Sequence, residues 1–140
     1  MSARSTLAVS VAIATLAATV GLSAVQAQQA PAVKRTVLQK HDLRAQGEEG
    51  VMAQVELPVG AREGRHTHPA EVFGYVIEGT LTFDVEGRPQ ATYKAGDSFF
   101  VEAGKVHEGA NNGSTPVKVV AVFVTDKGKP MTTPAATASK

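Results

Sequence analysis

Cysteine and tryptophan are both absent from this chain. Without cysteine there is no disulfide to brace the fold, no thiolate to hold a metal and no sulfur nucleophile. Neither sign of charge prevails, since 14 Lys and Arg face 13 Asp and Glu among 140 residues. Nothing in that balance recommends nucleic acid or an anionic membrane surface as a partner. Also lacking, beyond residue 27, is any apolar stripe of helical period long enough for a substantial helix. Stability therefore rests on the packing of a modest core, with a homodimer as the expected assembly.

Residues 1–27 carry Arg4, an Ala-rich apolar run from Leu7 to Leu22, and then Ser23-Ala24-Val25-Gln26-Ala27. Small residues at Val25 and Ala27 fit cleavage of a signal peptide after Ala27. Ala, Thr, Ser and Gly21 weaken the run as a permanent membrane span. A secreted protein is expected, periplasmic in a Gram-negative source, with no membrane association after cleavage. Loss of Arg4 leaves 14 − 1 = 13 basic residues against 13 acidic, a formally neutral mature chain.

Beyond residue 27 the chain is punctuated by glycine and proline. Residues 28–33 read as a flexible lead-in, and Lys34 to Leu43 as an edge strand. Gln46 to Gly50 reads as a turn, after which Val51, Ala53, Val55 and Leu57 alternate with Met52, Gln54 and Glu56, marking a strand with one buried face. Further strands are expected over 72–77, 81–85, 91–93, 98–101 and 117–124, separated by turns such as Glu86-Gly87-Arg88-Pro89. Residues 126–140, rich in Thr, Pro, Ala and Lys, read as a fraying tail. Short strands at this spacing argue for an all-β sandwich or barrel spanning 34–125, with no second domain.

Histidine is the residue type that points to chemistry. His66 and His68 are one residue apart, so on an extended backbone both imidazoles face the same way. One strand could then offer two neutral nitrogen ligands to one ion. His107 lies in a second glycine-punctuated stretch, GDSFFVEAGKVHEGANNG. His41 stands apart and reads as an exposed histidine, and Glu108, of opposite parity to His107, reads as surface. Phe73, Tyr75, Phe83, Phe99, Phe100 and Phe123 read as barrel packing, a dimer face or a pocket lining.

These residues resemble the two sequence motifs of the cupin superfamily, in its small single-domain (type 2) form. Gly60, His66, His68 and Gly79 fall in register with the first motif, and Gly96, Gly104, His107 and Asn111 with the second. The resemblance covers about residues 51–124. It implies a jelly-roll β-barrel and one divalent transition metal, Fe, Mn, Ni, Cu or Zn, held by His66, His68 and His107. It also implies that Asn111 fastens the loop after His107. Two positions depart from the pattern. Glu102 stands where proline is preferred, and Val72 stands where the ligand glutamate belongs. Glu71, one residue early, completes the ligand set only if a bulge at Pro69-Ala70 turns it inward. Failing that, it could serve as a general base near the mouth.

Three neutral imidazoles would leave a divalent ion its full charge and open positions, favouring an anionic, chelating small molecule. The resemblance implies dioxygenases, isomerases, decarboxylases and non-catalytic binders alike. The leading expectation is a metal-dependent oxygenase acting on a small organic molecule. The alternative is a module that binds a small ligand or metal without turnover.

Overall fold

The computed structural model describes residues 31–136; the expected leader and the last four residues of the tail lie outside them. Among the described residues there is no helix, and the secondary structure consists of strands and turns. The strands are β1 (Lys34–Asp42), β2 (Glu48–Leu57), β3 (His66–Thr67), β4 (Ala70–Glu78) and β5 (Thr80–Val85). They continue with β6 (Ala91–Lys94), β7 (Ser98–Val101), β8 (His107–Ala110), β9 (Val117–Asp126) and β10 (Thr133–Pro134). Two five-stranded antiparallel sheets result, in the orders β1-β2-β9-β4-β7 and β10-β3-β8-β5-β6. This is the all-β architecture expected from the turn spacing, in the jelly-roll form that the cupin resemblance implies.

The period of two seen in the sequence becomes a buried inner face. Val51, Ala53, Val55 and Leu57 of β2 face inward, as do Val117, Val119, Ala121 and Phe123 of β9. Val72 and Val76 of β4 and Leu81, Phe83 and Val85 of β5 complete the core between the sheets. The long β2–β9 ladder keeps one register from Glu48↔Asp126 to Leu57↔Val117, because a slip of one residue would expose every one of those side chains. In β4, Gly74 faces Phe99 of β7 across the ladder. A Cβ there would lie 2.1 Å from the Phe99 ring, so glycine at this position lets the phenyl fold inward. Phe83 meets that ring at 4.6 Å between centroids.

Two stretches behave differently from their composition. The expected turn over Gln46–Gly50 closes early, and Glu48 to Gly50 already pair with β9. Glu49 can enter the ladder because its buried carboxylate meets Lys40 Nζ at 2.9 Å. Within the expected tail, the described residues 126–136 do not fray. β9 runs on to Asp126, and the Lys127 amide donates to Gly47 O at 2.9 Å. Thr133 and Pro134 then pair with Thr67 and His66, and the Ala135 amide donates to Arg65 O at 3.0 Å. Main-chain hydrogen bonds and one apolar anchor, Met131 against the core, hold a segment whose side chains are mostly polar.

Candidate metal centre

His66 and His107 are direct cross-strand partners of β3 and β8, and His68 follows β3 by one residue. All three side chains are buried. Their ring centroids lie 4.4 to 4.9 Å apart, and one ligand nitrogen from each lies within 4.8 Å of the others. The rings meet on the wall of a cavity of about 160 Å³ between the sheets, lined otherwise mainly by valine, leucine and phenylalanine. Phe123 stands edge-on to His68 at 5.0 Å, and Phe83 flanks His107 at 5.6 Å.

Hydrogen bonding fixes which nitrogen is available. His66 Nδ1 lies 2.7 Å from Gly64 O, His68 Nδ1 2.5 Å from Met131 O, and His107 Nδ1 2.9 Å from Lys105 O. A carbonyl oxygen can only accept, so each Nδ1 carries the proton and donates it. In the neutral ring the lone pair is then on Nε2. Three imidazoles held in that tautomer by backbone carbonyls are the orientation that histidine ligands adopt around a metal. Burial pushes His68 and His107 from the usual 6.5 down to about 4. Their carbonyl bonds oppose the shift, while the charge of neighbouring groups, His66 for both and Arg35 for His68, adds to it. Both rings are therefore neutral at pH 7, the state a metal needs. Three neutral nitrogen donors within 4.8 Å of one another make a ligand set of the type that divalent transition metals take. The donor set fits such an ion.

Glu71 does not join them. It is exposed on the outer face of β4 between buried Ala70 and Val72. No bulge intervenes: β4 keeps register with β9 from Ala70↔Thr125 through Val76↔Val119. Strand parity therefore governs, and Val72, at the position the motif reserves for glutamate, lines the cavity in its place. Turned away from the cavity, Glu71 is excluded as a base there too. His41 is exposed, and Glu108 turns to the opposite face from His107 and pairs with Arg62. Glu102 stays at the surface, paired with Arg88.

Asn111 is buried and staples its loop. Its Nδ2 donates to Leu57 O at 2.9 Å and Thr115 O at 2.8 Å, and its Oδ1 accepts from the Gly113 amide at 3.0 Å. Of the aromatic residues, Phe83 and Phe123 are buried in the core and Phe99 lines the cavity. Phe73, Tyr75 and Phe100 instead point outward.

Three further cavity residues have no signature in the sequence. Arg35 of β1 and Glu63, in the loop before His66, form an ion pair of 2.7 Å, and both line the cavity. Met131 lines it as well, and its carbonyl orients His68. A lone arginine on an edge strand and a methionine in a polar tail carry no spacing that would single them out.

The chain's residues 53–123 match the family model described as a cupin domain. An oxalate-binding protein of Thermotoga maritima is 32% identical over 75 residues, 53% of this chain and 61% of the relative. The match thus spans less than two thirds of that protein's length. A Klebsiella pneumoniae protein with a double-stranded β-helix domain superposes with a TM-score of 0.62 at 22% identity, covering 75% of this chain and 85% of the other. An oxalate oxidase superposes with a TM-score of 0.51 at 28% identity, over 53% of this chain and 41% of its own. With a jelly roll, both glycine–histidine motifs and a converging three-histidine cluster in place, the chain belongs to the cupin superfamily.

Proposed function

We propose that this cupin uses His66, His68 and His107 to hold a divalent transition metal, and that the loaded site binds a small chelating carboxylate of the oxalate class. The observation that carries the reading is the common tautomer of the three histidines, with each Nδ1 spent on a carbonyl and each Nε2 left for the cavity. A bound ion would supply a Lewis-acidic centre with open positions for ligand oxygens. The chain's own residues do the rest. The apolar walls exclude water, the small volume favours a compact ligand, and Arg35 offers guanidinium N–H donors. Because Glu71 points outward, no carboxylate from β4 lowers the charge of the centre, which favours an anion. The likeness to the Thermotoga oxalate-binding protein supports the same ligand class.

Turnover is the second reading, favoured by the likeness to oxalate oxidase. In that case the expected oxygenase-type chemistry takes place on a small organic anion in the same cavity. Elemental analysis followed by calorimetric titration with oxalate tests the first reading. Oxygen uptake and product analysis on the same sample test the second. Protein that carries no metal, or metal-loaded protein that binds no carboxylate, would refute the binding reading.

Two further features belong to the proposal. The leader-like character of residues 1–27 supports export, in which case the metal is acquired outside the cytoplasm. Phe73, Tyr75, Ile77 and Phe100 form an exposed apolar group on β4 and β7, which supports a homodimer. Analytical ultracentrifugation at micromolar concentration reads the second directly, and a monomer would refute it.

A further inference from the structure

We propose that Arg35 is the residue that selects a dicarboxylate, its guanidinium taking the carboxylate end of a ligand whose other end lies against the three histidines. The inference rests on the carboxylate-binding reading and assigns a residue that neither motif contains. Arg35 reaches the cavity from β1, the outermost strand of its sheet. Among the described residues lining the cavity it is the one arginine or lysine.

Its surroundings divide a fixed part from a free part. Glu63 is nearly covered, with 11% side-chain exposure against 43% for Arg35. One Glu63 oxygen accepts from Arg35 Nη2 at 2.7 Å, and the other accepts from the Gly109 amide at 3.2 Å. Gly109 makes room for this, since a Cβ there would lie 2.5 Å from the carboxylate. Glu63 is thus anchored to β8, two residues from His107, and holds the guanidinium by one nitrogen. Among the described residues, Nη2 is the one guanidinium nitrogen of Arg35 with a hydrogen-bond partner. A guanidinium offers five N–H donors in a planar fork, so donors remain for a second carboxylate.

Charge and size agree with that use. The Arg35–Glu63 pair is neutral, so a divalent ion on neutral histidines would be balanced by a dianion. A cavity of about 160 Å³ suits a compact dicarboxylate such as oxalate or malonate. A monocarboxylate such as acetate could meet the ion but would leave the free edge of the guanidinium without a partner.

The test is calorimetric titration of oxalate, malonate and acetate into Mn²⁺- and Zn²⁺-loaded wild type, R35Q and R35K, with metal content and melting temperature measured on each. R35Q is expected to keep its metal, lose roughly 30-fold in oxalate affinity and change by less than about threefold toward acetate. R35K, a point charge without the fork, is expected to lose most of the preference for oxalate over acetate. R35Q that holds metal and binds oxalate within about threefold of wild type overturns the proposal and leaves the carboxylate reading standing. Should R35Q not fold, an unchanged oxalate-to-acetate ratio in R35K overturns it equally. Wild type that holds metal but binds no carboxylate removes both.

Discussion

His66 and His107, forty-one positions apart in the chain, sit opposite one another across β3 and β8 with ring centroids 4.4 Å apart. Two ligands are thereby placed by strand register alone, and the third comes from the alternation of faces along His66-Thr67-His68. Replacing His66 or His107 with alanine is expected to abolish stoichiometric metal binding while leaving a folded barrel. Elemental analysis and far-ultraviolet circular dichroism of the two variants check both halves.

Removing the metal is expected to lower the melting temperature of the wild type and to leave that of H107A unchanged. A ligand that binds only the folded state adds about 2.7 kcal/mol at a hundredfold excess over its Kd. Thermal melts with and without a chelator, on wild type and H107A in parallel, make the comparison. An equal shift in both proteins would place the stabilising ion elsewhere.

Acid is expected to destabilise the metal-free protein. His68 and His107 have folded pKa values of about 4, against about 6.5 when unfolded. Between those values the unfolded chain binds more protons than the folded one, so stability falls as pH drops. The contribution is complete above about pH 6.5 and is lost on the way down to about 4, with a total on the order of a few kcal/mol. Urea midpoints at pH 7 and pH 4.5 measure it, and H68A is expected to flatten the dependence.

Glu71→Gln is expected to leave metal stoichiometry and affinity as they are in wild type, since the side chain faces solvent. A loss of metal on that one substitution, read by elemental analysis and competition with a chelating dye, would contradict the outward placement.

Gly74→Ala is expected to cost about 1–3 kcal/mol, because the new methyl collides with the Phe99 ring. Shortening the ring in the double variant G74A/F99L should recover part of the loss. Denaturant unfolding of the wild type, both single variants and the double variant measures the coupling.

The parts of the structure that could be read in the sequence are those governed by period-two patterning. The inward faces of β2 and β5, and the shared face of His66 and His68, come from alternation and survive in the fold. Parity also identified the difficulty with Glu71, and the β4–β9 register, regular from Ala70 through Val76, decides it. What stayed hidden depends on contacts between distant segments. Glu49 enters a strand because Lys40 neutralises it, and the polar segment after Asp126 is ordered by hydrogen bonds from its own main chain. Arg35 and Glu63 line the cavity because β1 folds beside the loop that precedes His66, a proximity no local pattern encodes.

The carbonyl that turns His68 toward the cavity belongs to a residue 63 positions later. Translation proceeds from the N-terminus, so at the moment His107 is made the orienting group for His68 does not yet exist. A chain interrupted before Met131 would contain every proposed ligand and still lack the means to aim one of them. The aim of His68 is in this sense settled late in the making of the molecule, by a carbonyl that precedes the last strand by two residues.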